Sequence, residues 1–302
     1  MVRQILKEYN IKGGKMDQHF LIDAAALDEI VAVAALTPSD IVLEIGGGIG
    51  NLSERIAPRV QKLIIIELDP QMIAVLKSRL SVYSNIEIIA GNVMDIDFST
   101  LPFNKIIANL PYSISSDVTL KILKHKFDAA VLMYQYEFAQ RLTADSGNKD
   151  YGRLSVHVQY KTEASMILKV PKNSFEPAPK VDSAVIKLIP RPELYPVKNE
   201  KFFYTVTKAI FSQRRKKIKN TLLGSGLKSE VPDLKKILEE MEPQIFGEIE
   251  NAEEFESAEL KKSAAAGKTI GDILSMRAEE LSPFEIARFS NLLYEKVERT
   301  NR

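Results

Sequence analysis

Ile41-Val42-Leu43-Glu44-Ile45-Gly46-Gly47-Gly48-Ile49-Gly50 reads as a short strand that runs straight into a glycine loop. Four apolar residues among the first five, three of them β-branched, suit a strand covered on both sides, as in a parallel sheet. A side chain on Gly46 or Gly48 would fill space next to the backbone, so the loop can bring backbone close to a ligand. Glycine turns also join strands to helices where no ligand binds, and the loop alone does not decide function.

Further runs of the same kind follow on: Lys62-Leu63-Ile64-Ile65-Ile66, Ile86-Glu87-Ile88-Ile89, Lys105-Ile106-Ile107-Ala108 and Ala130-Val131-Leu132-Met133. Helix-like stretches separate them at Asn51 to Ala57, Gln71 to Leu80 behind Pro70, and Ser116 to Lys124. A helix from about Ala24 to Leu36, capped by Asp23, precedes the set. The alternation predicts a doubly wound α/β sheet of the Rossmann type. Ala144 to Gly152 is polar and turn-rich and reads as an exposed loop. From Pro190 the texture changes through Pro192 and Pro196 to a helical pattern. A boundary near residue 192 is expected, with an α/β domain over 1–192 and a smaller α-helical domain over 193–302. Glu239 to Glu259 holds nine acids and no Lys or Arg, the composition of a solvated insertion.

With 302 residues, 45% of them apolar, the chain can bury a large core. No apolar run reaches the ~20 residues of a membrane span, and the start, Met1-Val2-Arg3-Gln4, lacks a signal-peptide core. A cytoplasmic protein, off the membrane, is expected. There is no cysteine, and His19, His125 and His157 are too scattered for metal-ligand spacing, so metal catalysis is not expected. Residues 221 to 302 carry 11 basic against 17 acidic side chains; with a whole-chain charge of +1, residues 1 to 220 carry +7. The amino-terminal two thirds are the better face for a polyanion.

The ends of the strand runs carry the chemistry. Glu67 follows the second, where a carboxylate can accept hydrogen bonds from both ribose hydroxyls of a nucleoside cofactor. A dinucleotide enzyme would share these features. After the third run comes Ala90-Gly91-Asn92, whose side-chain oxygen can accept from an adenine amine. The fourth delivers Asn109-Leu110-Pro111-Tyr112, which has no role in hydride transfer and favours S-adenosylmethionine as cofactor. An aromatic amine is a poor nucleophile because its lone pair is conjugated with the ring. The Asn109 side-chain oxygen and the Leu110 carbonyl could hold its two N–H bonds and turn the lone pair toward a sulfonium methyl. Pro111 disfavours the α region at Leu110 and helps aim that carbonyl, while Tyr112 can stack on the base. This is catalysis by orientation and electrostatics.

Four blocks, in order, resemble the KsgA-type ribosomal RNA adenine N6,N6-dimethyltransferases, and their archaeal branch in particular. They are Asp17-Gln18-His19-Phe20-Leu21, Glu44 to Gly50 with Glu67, Asn109 to Tyr112, and Asn173 to Ser183 followed by Phe211 to Lys217. The string Phe175-Glu176-Pro177-Ala178-Pro179-Lys180-Val181-Asp182-Ser183 is the most specific. The resemblance implies a class I methyltransferase sheet with a helical RNA- and ribosome-binding domain. It implies that His19, Leu21, Gly46, Gly48, Glu67, Asn92 and Asn109 border S-adenosylmethionine, and that Phe175 stacks on the extruded base opposite Tyr112. The implied substrate is a pair of adjacent adenosines in a hairpin loop near the 3′ end of small-subunit ribosomal RNA, taken by a monomer within a pre-formed subunit during ribosome biogenesis. Asp17, Gly47 and Asn92 depart from the family's more frequent glycine, proline and aspartate.

Bland readings stand beside these. His19 could be an exposed histidine, and Phe175 a core aromatic under a proline-rich turn. Arg214, Arg215, Lys216, Lys217 and Lys219 could be a solvated face, although on a helix opening the second domain they would make a phosphate grip. Amino methyltransferases acting on DNA or on protein glutamine often carry Pro where Leu110 stands. A non-catalytic assembly factor would not need Gly46, Gly48, Glu67 and Asn109 together.

Overall fold

The computed structural model describes residues 2–11, 18–191, 196–246 and 268–300. Asp17, the expected boundary at 192 and 193, and most of the acidic segment, 247–259, lie outside the described residues.

Each of the five strand runs forms a strand. With Phe20–Leu21 as β1, they are β2 (Ile41–Ile45), β3 (Lys62–Glu67), β4 (Ile86–Ala90), β5 (Lys105–Asn109) and β6 (Ala129–Gln135). β7 (Thr162–Val170), β8 (Phe175–Glu176) and β9 (Ser183–Pro190) complete the set. The main sheet runs β4-β3-β2-β5-β6-β9-β7. β2 to β6 are parallel, in register Leu43↔Ile64 on one side of β2 and Leu43↔Ile106 on the other. β9 is antiparallel to both β6 and β7. Val42, Leu43, Leu63, Ile64, Ile106 and Ile107 are wholly buried, which is why these strands are apolar on both faces.

Strand order reverses between β2 and β5, so the loops leaving their carboxyl ends diverge and open a crevice, the usual ligand site of such sheets. At the opposite end of the sheet the strands are locked by polar groups. Asp40 accepts from Asn104 Nδ2 at 2.9 Å, Lys105 Nζ at 2.9 Å and Thr37 N at 2.6 Å.

Helix boundaries follow their caps. Asp23 accepts from Ala26 N at 3.2 Å and opens Ala24–Val33, shorter than expected because Ala35 turns to φ 46°. Asp69 accepts from Gln71 N at 2.8 Å and opens Pro70–Arg79. The helix expected from Asn51 to Ala57 is only Ser53–Ile56, tightening into a 3₁₀ turn at Ala57–Arg59.

Two compact units emerge. Met1–Gln140 with Thr162–Pro190 form the first, and Arg141–Lys161 with Arg191–Arg302 the second. This differs from a single cut near residue 192, because residues 141–161 leave the first unit and return at β7. The loop read as exposed is anchored at one end: Tyr151 is buried in the second unit and its hydroxyl donates to Leu281 O at 2.9 Å. That unit's core gathers Val156, Phe203, Val206, Leu238, Phe289 and Leu293 from helices that include Arg153–Lys161, Glu200–Ile210, Leu234–Met241 and Pro283–Thr300.

Candidate active site

A cleft of about 360 Å³ lies in the first unit at the carboxyl ends of β2, β3, β4 and β5. His19, Leu21, Gly46, Gly48, Glu67, Asn92 and Asn109 to Tyr112 all line it.

The glycine loop is constrained by backbone conformation more than by ligand space. Gly46 and Gly48 sit at φ 78° and 53°, where side-chain-bearing residues are strained. A Cβ on Gly46 would meet nothing closer than 3.8 Å, whereas one on Gly48 would press to 3.3 Å from the Phe20 ring. Gly47 has a packing reason: a Cβ there would stand 2.5 Å from Ile65 Cγ2.

Glu67 holds this loop in place. One carboxylate oxygen accepts from Gly48 N at 2.9 Å, and the other from Leu68 N and Asp69 N, both at 2.9 Å. A carboxylate offers about four lone-pair directions, so roughly one is left for a ribose hydroxyl, on Oε2. Capture of both hydroxyls, expected from the sequence, requires a backbone donor to move. Asn92 is likewise used within its own turn, since Oδ1 accepts from Met94 N at 2.9 Å. Behind that turn Lys121 Nζ donates to the carbonyls of Val93, Met94 and Ile96 at 2.8, 2.9 and 2.6 Å, and lies 4.8 Å from the centre of the Phe98 ring.

Glu44 received no role from its position in the sequence, yet it lines the cleft and is 1% exposed. Burial pushes its carboxyl up to about 8, against the pull of Ser53 Oγ, which donates at 2.6 Å, and with a push from Glu67. Burial thus favours the protonated, neutral form of Glu44. Only its place at the foot of the glycine loop signalled this.

The tetrapeptide ends β5. Asn109 Nδ2 donates to His19 O at 3.2 Å, which leaves Oδ1 as the acceptor of the amide. Leu110 is buried and gives its N–H to Met133 O at 3.3 Å. The Tyr112 hydroxyl shares a hydrogen bond with Ser183 Oγ at 2.8 Å. The Tyr112 ring stacks with His19, centroids 5.9 Å apart and planes inclined 24°. His19 Nδ1 lies 2.8 Å from Pro177 O, so the β8 segment bears directly on the site. Leu21 is buried, and its carbonyl accepts from Asn51 Nδ2 at 3.0 Å.

Two expectations are corrected. Phe175 is not among the residues that line the cleft: it is 2% exposed and packs in the core with Leu21, Ala26 and Val170. His19 is the ring that stands beside Tyr112. The basic run is not one helix: Arg214, Arg215, Lys216 and Lys217 lie on the connection between Glu200–Ile210 and Ile218–Leu223, and Lys219 lies in the first turn of the second helix. Arg214 is used inside the second unit, donating to Lys149 O and Tyr151 O at 2.7 and 2.8 Å and pairing with Glu279 at 3.2 Å. Lys219 pairs with Glu242 at 2.6 Å. Arg215, Lys216 and Lys217 are exposed. Among the described residues no group of three or more His, Asp or Glu is placed to hold a metal ion, and no helix is long and apolar enough to cross a membrane.

A family model described as ribosomal RNA adenine dimethylase matches residues 11–246. A probable ribosomal RNA small subunit methyltransferase A of Methanosarcina mazei is 48% identical over 299 residues, covering 99% of each chain. Its counterpart in Methanococcoides burtonii is 44% identical over 97% of this chain and 98% of its own. Among solved structures, a dimethyladenosine transferase from Plasmodium falciparum superimposes with a TM-score of 0.71 at 29% identity, covering 90% of this chain and 96% of that one. The 23S rRNA methyltransferase ErmE gives 0.62 at 25% identity, over 92% and 99%.

Proposed function

The chain belongs to the KsgA-type ribosomal RNA adenine dimethyltransferases, S-adenosylmethionine-dependent enzymes of ribosome biogenesis, and from that premise we propose that it dimethylates N6 of two adjacent adenosines in a hairpin loop near the 3′ end of small-subunit ribosomal RNA. It takes the RNA within a pre-formed subunit, as a monomer in the cytoplasm. Unpaired loop bases are cheaper to extrude than paired ones, which suits a cleft that must receive a whole base.

When bound, S-adenosylmethionine supplies an electrophilic methyl carbon. The residues present fit it: a left-handed glycine turn at Gly46 and Gly48 is tied to the Glu67 carboxylate through the Gly48 N–H, a backbone cradle with an acceptor at its end. Gly46, Gly48, Glu67 and Leu21 would hold its sugar and chain, and Asn92 its base. Asn109 and Leu110 would hold the target amine.

The observation that carries this reading is the Asn109 amide. One N–H of its NH₂ group donates to the His19 carbonyl, an orientation that leaves Oδ1 to accept from an incoming amine. With the Leu110 carbonyl as second acceptor, both N–H bonds of N6 are held and the lone pair is turned out of conjugation. The test is transfer of labelled methyl groups from S-adenosylmethionine to unmethylated small subunits, mapped base by base. Dimethyl label on two neighbouring loop adenosines is expected; label confined to a single base, or to duplex positions, would overturn it.

A further inference from the structure

The turn after β4 brings Asn92 and Val93 to the cleft, and it is held from two sides. From within, Asn92 Oδ1 accepts from Met94 N and the Asn92 carbonyl from Asp95 N, both at 2.9 Å. Oδ1 keeps a second lone pair for a ligand amine. From behind, the carbonyls of Val93, Met94 and Ile96 converge on Lys121 Nζ at 2.8, 2.9 and 2.6 Å. An ammonium has three N–H donors, so this turn uses all of them and leaves none for RNA. The Phe98 ring, its centre 4.8 Å from Nζ, holds the charge in place. Fixing a long lysine has an entropy cost, which three charge-assisted bonds to one turn offset. Lys121 also lies on the helix Ser115–Ile122, which continues directly from the 3₁₀ turn Tyr112–Ile114. One element therefore leads out of the tetrapeptide and clamps the turn that carries Asn92.

We infer that Lys121 is a positioning residue for the cofactor's adenine. It holds the Asn92 to Ile96 turn in its binding shape before the cofactor arrives, so that no ordering cost falls on binding and Oδ1 is already aimed at the adenine amine. This rests on the reading that Asn92 holds the base of S-adenosylmethionine. A lysine that only braced the fold would affect every ligand of the cleft alike, whereas a positioning lysine acts on discrimination between bases.

The experiment uses calorimetry with S-adenosylhomocysteine and with S-inosylhomocysteine, in which a keto oxygen replaces the amine. The wild type should prefer the adenine ligand by about 10-fold or more, because the keto oxygen leaves Oδ1 without a donor. Lys121→Met keeps an unbranched stem and removes the donors. It should weaken S-adenosylhomocysteine by roughly 10-fold and S-inosylhomocysteine much less, so that the preference narrows. Amide hydrogen exchange on the cofactor-free wild type should show Met94 and Asp95 already protected. A folded Lys121→Met with unchanged affinity, an equal loss for both ligands, or Met94 and Asp95 amides that exchange freely until ligand binds would each overturn the proposal. The exchange measurement needs only the wild type, so it decides even where the variant fails to fold. A wild type that binds both ligands equally would instead overturn the Asn92 reading and the proposal with it, an outcome distinct from the other three.

Discussion

Asn109 and His19 are 90 residues apart in sequence and meet at a single hydrogen bond, which gives the Asn109 amide its orientation. Asn109→Ala should therefore lower single-turnover methylation by about 10²- to 10³-fold, the usual cost of one group aimed at developing charge. Binding of S-adenosylhomocysteine by calorimetry should change far less, and turnover near the wild-type level would remove Asn109 from the chemistry. Glu67 differs in kind because its carboxylate already holds backbone N–H groups on both oxygens. Glu67→Gln turns an NH₂ group toward at least one of those donors. It should cost about 1–3 kcal/mol of stability in a denaturant titration, together with roughly 10- to 100-fold in S-adenosylhomocysteine affinity. A folded variant with unchanged affinity would take Glu67 out of the cofactor site. Residues at strand ends, such as these two, were legible in the sequence because a strand's carboxyl end is a fixed address. Phe175 was not, because it packs in a core that includes Leu21, more than 150 positions earlier in the chain.

At the scale of elements, the inner parallel strands β2, β3, β5 and β6 could be read because both their faces are buried and their runs are mostly apolar, and the edge strand β4 because its three isoleucines carry the same signal. β7 escaped notice for the opposite reason. It is an edge strand with Glu163, Ser165 and Lys169 exposed and a bulge between Met166 and Leu168, and so shows no clean period. The helix Arg153–Lys161 buries His157 against the rings of Phe203 and Tyr204, and neither ring nitrogen has a hydrogen-bond partner among the described residues. Burial holds that imidazole down at about 3, helped by Arg153 and opposed by Glu200. An unfolded chain takes up this proton near its ordinary value of 6.5, so between there and about 3 the unfolded state binds more protons and stability falls as pH falls. His157→Leu, close in volume, should raise stability by about 1–3 kcal/mol at acid pH and flatten that part of the pH dependence. Denaturant midpoints of the two proteins measured from neutral to acid pH decide it; parallel curves would mean that the histidine is not buried neutral.

Over the whole molecule, the charge asymmetry of +7 for residues 1 to 220 against −6 for the remainder is unaltered by folding, but folding divides the basic cluster of residues 214–219 within the second unit. Arg214 and Lys219 are drawn into ion pairs with Glu279 and Glu242, acids that arrive from 65 and 23 residues further along. No local pattern could have separated these two from their neighbours, since all five read alike as a basic run. Arg215, Lys216 and Lys217 remain exposed on a turn, and a turn can follow a phosphate backbone as well as a helix can. Replacing these three by Ala should weaken binding to small-subunit RNA and reduce the slope of log affinity against log salt by about 2, at ~0.7 per single-strand phosphate contact. Cofactor affinity should be unaffected. Arg214→Ala should behave differently, leaving the Lys149 and Tyr151 carbonyls without their donor and lowering the unfolding temperature while changing the salt slope little. The two variants measured side by side separate a charge that grips RNA from one that holds the second unit together. If the triple variant keeps the wild-type slope, the phosphate contacts must be sought on the first unit, where Lys172 and Lys180 are exposed on the segment between β7 and β9.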